Sequence, residues 1–162
     1  MIEEKQDMIE LFGIHFEQQY NITPLASRIL GVLIIDGCKS GITFEELVIK
    51  MKASKSSIST NLNLLQKMKL ITYYTLSGDR KKYFNAAPLS ERLKNYLTLV
   101  DNEKILIEKV ITYRENNSSC PQEKVSLQNS YDYKEHILNV EELLNNSIKK
   151  FKEIEIHNQL IK

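Results

Sequence analysis

Residues 43–84 constrain the fold of this chain more tightly than any other stretch. Thr43-Phe-Glu-Glu-Leu-Val opens one short helical pattern, and Ser54-Lys-Ser-Ser-Ile-Ser-Thr-Asn-Leu-Asn-Leu-Leu opens a second. Thr43 with Glu46 three residues on makes a capping box, in which hydroxyl and carboxylate satisfy each other's orphan backbone donors. Ser54 caps the following helix, with Ser57 at its third position. An aromatic strand, Tyr73-Tyr-Thr-Leu, then meets the basic turn Ser77-Gly-Asp-Arg-Lys-Lys and a return strand, Tyr83-Phe-Asn-Ala. Gly78 beside Asp79 is a strong hairpin signal. Two capped helices followed by a basic hairpin are the layout of a winged helix-turn-helix.

The flanking segments read as helices. Ile9, Phe12, Phe16 and Tyr20 recur at helical spacing, predicting an amphipathic helix over 2–20. Thr23 caps the next helix, with Pro24 at its first position, where the missing N–H costs nothing. That helix runs through Leu25, Ile29 and Leu33 to Asp36-Gly37, with the glycine expected in a left-handed terminus. Helices then span about 43–51 and 54–69. Pro88 and Ser90 start another, whose apolar face (Leu93, Leu97, Val100, Ile107, Ile111) reaches about Arg114. Asn116 to Gln122 reads as a polar loop. The last helix, about 131–160, carries a seam of Ile137, Val140, Leu144, Phe151 and Ile154, interrupted at Ser147 and Asn158. No internal repeat is evident. The expected class is mainly α with a small β-hairpin wing. Residues 1–21 form an N-terminal dimerisation helix, 22–88 the winged helix-turn-helix, and 89–162 a C-terminal helical dimerisation region.

The second capped helix carries the functional reading. Ile58, Leu62 and Leu65 share one face and are expected to be buried. Ser56, Ser59, Thr60, Asn63 and Lys67 recur at i, i+3, i+4, i+7 and i+11 as an opposite polar stripe. From 54 to 69 there is no Asp or Glu, whereas solvated helix faces ordinarily mix Glu with Lys. An acid-free stripe of short polar side chains suits a helix in a DNA major groove. Serine and threonine can bond phosphates or bases, Asn63 can pair with adenine, and Lys55 and Lys67 can reach the backbone. At the hairpin tip, Arg80 can enter the adjacent minor groove, where an arginine gains from focused negative potential. Lys81 and Lys82 alternate along the return strand, so one is expected to face DNA. Asp79 is awkward beside phosphate and is expected to pair with Arg80 or cap the turn. The candidate DNA-binding residues are therefore Ser54, Lys55, Ser56, Ser57, Ser59, Thr60, Asn63, Lys67, Arg80, Lys81 and Lys82.

Charge partition agrees. The 162 residues have a formal net charge of only +1. Residues 22–86 nevertheless hold 10 Lys/Arg against 4 Asp/Glu, a net +6, while 1–21 carry −4 and 87–162 carry −1. Positive charge is concentrated where phosphate contacts would need it.

The segments Pro24-Leu-Ala-Ser-Arg-Ile-Leu-Gly, Thr43-Phe-Glu-Glu-Leu, Ala53 to Leu65 and Gly78-Asp-Arg-Lys-Lys-Tyr-Phe resemble the GbsR branch of the MarR-type transcriptional regulators. The resemblance covers roughly 9–86, and the C-terminal helices only by pattern. It implies a homodimer of winged helices, held by terminal helices, on a pseudo-palindromic operator in double-stranded DNA. It further implies Ala53 to Asn63 as the recognition element and Asp79 to Lys82 as the wing. Some relatives respond to choline or related osmolytes. This chain has no Trp, and no choline cage can be assembled from its residues.

Other chemistry finds little support. His15, His136 and His157 lack metal-site spacing, and no GxSxG, P-loop or GxGxxG occurs, so neither an enzyme nor a cofactor or metal is expected. Acidic residues at the start and the lack of an 18-residue apolar run argue against a signal peptide and a membrane span, and point to the cytoplasm. Cys38 and Cys120 are isolated; Cys38 beside Lys39 is a weak candidate oxidant sensor. Phe16, Tyr20 and Tyr96 are candidates for a small-molecule effector pocket, with core packing as the competing role. The reading is a DNA-binding regulator acting as a dimeric repressor. The alternative is a winged-helix protein-interaction module without DNA binding.

Overall fold

The computed structural model describes the backbone of residues 2–37 and 40–160, and the side chains of 4–37 and 40–158. Cys38 and Lys39, and with them the oxidant-sensor reading, lie outside the described residues. The element order is α1 (Ile2–Tyr20), α2 (Pro24–Asp36), β1 (Ile42–Thr43), α3 (Phe44–Met51), α4 (Lys55–Lys67), β2 (Ile71–Thr75), β3 (Lys82–Ala86), α5 (Leu89–Asn117) and α6 (Pro121–Leu160). The fold is mainly helical with one small antiparallel sheet, in the order β1-β3-β2. The chain divides into two compact units, Met1–Ala87 and Pro88–Lys162.

In the first unit, α2 is the central helix. Ala26, Ile29, Leu30 and Leu33 are almost fully buried, and Phe16, Leu47, Ile58, Leu65 and Leu70 join them from α1, α3, α4 and the β2 approach. Gly31 lets α1 approach α2 closely: a Cβ there would sit 3.1 Å from Phe12 Cβ and 3.2 Å from the Ile9 carbonyl oxygen. The Arg28 guanidinium grips both oxygens of Glu10 across the same interface, with Nη2 donating to Oε2 at 2.7 Å. Asp36 receives Lys5 of α1 at 2.5 Å and Lys50 of α3 at 3.0 Å, tying three helices at one carboxylate. Burial opposes ionisation of Asp36, but the hydrogen bonds from the two lysines outweigh it and hold its carboxyl below the usual value.

The expected caps form. Thr23 Oγ1 accepts from Ala26 N, with Pro24 at the first helical position. Thr43 and Glu46 make the reciprocal box. Gly37 departs from expectation: its φ of −73° is ordinary right-handed backbone. The glycine is required by space instead, since a Cβ would fall 2.4 Å from the Leu33 carbonyl oxygen. Among the described residues, the left-handed positions are Asn21, Lys52 and Lys69, with Gly41 and Gly78.

The sheet holds a strand that periodicity misses. β1 is two residues long, and Ile42 and Thr43 pair with Phe84 and Tyr83. Too short to show alternation, it is strand only because β3 lies beside it. β2 begins at Ile71, two residues before the expected start, and pairs along its length with β3.

In the second unit, α5 and α6 form a helical hairpin with Ile107, Ile111 and Ile137 buried between them. The connection is shorter than expected. α5 continues to Asn117, and α6 starts at Pro121 rather than near 131. Glu123 accounts for the early start. Its carboxylate accepts from the N–H groups of Ser119 and Cys120 at 2.7 and 3.0 Å and from the Ser119 hydroxyl, which lowers its pKa to about 2. The α6 seam passes through buried Ile148 rather than breaking at Ser147. At its far end Ile154 is exposed, and Glu155 turns toward α5 to accept from Ser90 N at 3.0 Å and Ser90 Oγ at 2.5 Å. A carboxylate displaces an apolar knob there because it satisfies donors in the first turn of α5.

Candidate nucleic-acid interface

The two faces of α4 separate as the sequence spacing requires. Ile58, Leu62 and Leu65 are buried, whereas Ser54, Lys55, Ser56, Ser57, Ser59, Thr60, Asn63 and Lys67 are all exposed. Ser54 Oγ accepts from Ser57 N at 3.1 Å, and the two hydroxyls lie 2.9 Å apart. These serines therefore complete the N-terminal turn while remaining at the surface. With no acid in its first turn and Lys55 leading, this helix start adds the positive end of the helix dipole to a positive side chain.

One polar side chain of α4 faces inward. Asn61 is buried, accepting from Thr23 Oγ1 at 2.6 Å and donating to the Ser57 carbonyl at 2.7 Å. It ties the recognition-type helix to the cap of α2. Spacing alone could have signalled this role, because Asn61 lies beside Ile58 and Leu62 rather than on the Ser59–Asn63 stripe.

The hairpin supplies the opposite wall. Leu76 accepts from Asp79 N at 3.1 Å, with Gly78 between them at φ +81°, a geometry that favours glycine. The Asp79 carboxylate accepts from Lys81 N at 2.9 Å through Oδ1 and from the Tyr83 hydroxyl at 2.7 Å through Oδ2. The hydrogen bond from Lys81 N and then that from Tyr83 lower the Asp79 pKa, while Asp79 raises that of Tyr83. Of the two expected roles for Asp79, the structure selects turn capping. Arg80, Lys81 and Lys82 are exposed, and Lys82 Nζ also lies 4.2 Å from the centroid of the Tyr73 ring.

A cleft of about 450 Å³ runs between helix and wing, with Ser59, Asn63 and Gln66 on one side and Arg80, Lys81 and Lys82 on the other. Both lysines line it, not one, since Lys81 precedes β3 and escapes the strand alternation. Gln66 lay outside the sequence-derived set, although its step of seven from Ser59 places it on the same face. Glu45, from α3, also lines the cleft and is the one acid among its described lining residues. Short polar groups, amides and three cations can together bond phosphate oxygens and base edges.

The remaining candidates stand elsewhere. Phe16 is buried in a stacked ladder, its ring centroid 5.5 Å from Phe12 and 5.7 Å from Tyr20; Tyr96 belongs to the second unit. His15 lies edge-on to Phe16 and His136 stacks on Tyr133. Among the described residues, no group of three or more His, Cys, Asp or Glu could hold a metal ion, and no helix is long and apolar enough to cross a membrane. Cys120 is a half-buried free thiol.

No protein-family model matches the chain. Over 82 residues, 51% of its length, it is 34% identical to the HTH-type transcriptional regulator MmpR5 of Mycobacterium tuberculosis (strain ATCC 25618 / H37Rv). The chain spans about half the length of that relative, 48%. Among solved structures, one of a transcriptional regulator superposes over 93% of this chain and 99% of its own, with a TM-score of 0.61 and 23% identity. That similarity extends through both units and supports the fold. MepR, a transcription regulator of the Staphylococcus aureus multidrug efflux pump MepA, matches 84% of this chain and 93% of its own at 18% identity, with a TM-score of 0.43.

Proposed function

We propose that this chain is a sequence-specific DNA-binding transcriptional regulator of the MarR type, working as a homodimeric repressor. One observation carries the reading: Ser59, Asn63 and Gln66 of the acid-free α4 face and the three cations of the wing line the same open cleft, with the rest of the α4 stripe exposed beside it. Such a pairing lets α4 lie in a major groove while the wing reaches the neighbouring phosphates or minor groove. The relationship to a regulator named for its helix-turn-helix supports it. The GbsR branch, suggested by the Ala53 to Leu65 segment, is the finer assignment within this reading.

Dimerisation rests on unpartnered apolar surface. Leu99, Leu106 and Tyr113 recur every seven residues on α5, yet are 62, 57 and 68% exposed. On α1, Met8, Leu11 and Ile14 are exposed beside the buried Ile9 and Phe16. Covering such stripes with a second copy yields about 25 cal/mol per Å². A twofold dimer would present two recognition helices to half-sites about one DNA turn apart. Selection of bound sequences from a random duplex pool tests the proposal. The expected product is an inverted repeat with half-site centres spaced by about 10 base pairs. A pool that shows no enrichment after several rounds would contradict it.

A further inference from the structure

We propose that Tyr83 and Asp79 are positioning residues that hold the wing tip in its DNA-contacting shape, an inference resting on the DNA-binding reading above. Residues 76–81 lie beyond the paired strands, so cross-strand hydrogen bonds do not fix the backbone carrying Arg80 and Lys81. Beyond the turn hydrogen bond from Asp79 N to the Leu76 carbonyl, the Asp79 side chain supplies the constraint on the residues that follow. One carboxylate oxygen holds Lys81 N and the other holds the Tyr83 hydroxyl, which closes the tip onto β3. Tyr83 is itself fixed, with its ring stacked on Tyr74 at 5.3 Å; the Tyr74 hydroxyl donates to the Ser40 carbonyl at 2.5 Å. The tip is thereby tied through two aromatic rings to the loop ahead of β1. The carboxylate faces these donors rather than the guanidinium, which leaves Arg80 directed to the cleft.

The charge of Asp79 makes the argument testable. A carboxylate beside DNA phosphate is repulsive, so an acid without a structural role would weaken binding, and its removal would strengthen it. Preorganisation predicts the reverse, because a loosened tip must be ordered again at each binding event. Tyr83→Phe keeps the ring stack and removes only the hydroxyl donor.

The test is a fluorescence-anisotropy titration of a labelled duplex of mixed sequence at several salt concentrations, using the full chain. Variants would be Tyr83→Phe, Asp79→Ala, Arg80→Ala and Arg80→Ala/Tyr83→Phe. Tyr83→Phe and Asp79→Ala should each bind about three- to tenfold more weakly. The double variant should be no weaker than Arg80→Ala alone, since Tyr83 acts through the tip that carries Arg80. Tyr83→Phe should also flatten the salt dependence, whereas a general loss of stability would leave that slope unchanged. Tighter binding by Asp79→Ala, unchanged binding by Tyr83→Phe, or strictly additive effects would overturn the inference while wild-type binding stood. Absence of binding by the unaltered chain would sink the DNA reading itself.

Discussion

At the scale of single residues, α4 carries two kinds of asparagine with opposite duties. Asn61 is buried and joins Thr23 to the Ser57 carbonyl, whereas Asn63, two positions on, is exposed in the cleft. Asn61→Ala should destabilise the chain by about 1–3 kcal/mol, because it strips the Thr23 hydroxyl of its buried acceptor and leaves a gap. Urea unfolding would read this, and a loss below about 0.5 kcal/mol would contradict the packing role. Asn63→Ala should leave stability unchanged and relax base preference at one operator position, as seen by comparing affinities across single-base variants. Arg80→Ala should weaken DNA binding by roughly 1–3 kcal/mol if the guanidinium makes a specific groove contact. Equal affinity of the Arg80 variant and the unaltered chain would remove Arg80 from the site.

At the scale of elements, side-chain carboxylates decide several boundaries. Glu46 closes the α3 box, Glu155 satisfies the first turn of α5, and Glu123 starts α6. Hydrogen bonds from Ser119 and Cys120 place the folded pKa of Glu123 at about 2, below its ordinary 4.5. A depressed pKa means its contribution is complete above about pH 4.5 and is lost as pH falls toward 2. The protection of the Ser119 and Cys120 amides, taken as the observed exchange rate relative to the intrinsic rate at each pH, should therefore fall across that window, and Glu123→Gln should show lower protection already at neutral pH. Protection insensitive to both changes would show that Pro121–Gln128 needs no cap. The helices of the first unit were legible because each carries its signals locally: Thr23-Pro24, Thr43 with Glu46, and Ser54 with Ser57. What escaped the sequence depends on distant partners. Two-residue β1 exists only against β3, and Glu155 enters the seam only because Ser90 waits opposite. The exposed α4 stripe was likewise legible from spacing, Gln66 included by its step of seven from Ser59, while Glu45 became part of the cleft only when α3, α4 and the wing were assembled.

At the scale of the whole molecule, the two units divide the work. Met1–Ala87 holds the cleft, and Pro88–Lys162 is a long hairpin of two helices whose narrow core leaves Leu99, Leu106, Tyr113 and Leu143 exposed. Light scattering on the intact chain at micromolar concentration should give a dimer, and replacing Leu99 and Leu106 together by Lys should shift it toward monomer with weakened DNA binding. A monomeric intact chain would rule out the homodimer. Neutralisation of DNA phosphates by the exposed cations of α4 and the wing should appear in the salt dependence of binding to duplex DNA. Each neutralised phosphate contributes a slope of about −0.9 to log affinity against log salt. Several contacts per dimer should therefore cost at least about a thousandfold in affinity across a tenfold rise in salt. Affinity that stays constant across that range would show that these cations neutralise no phosphate.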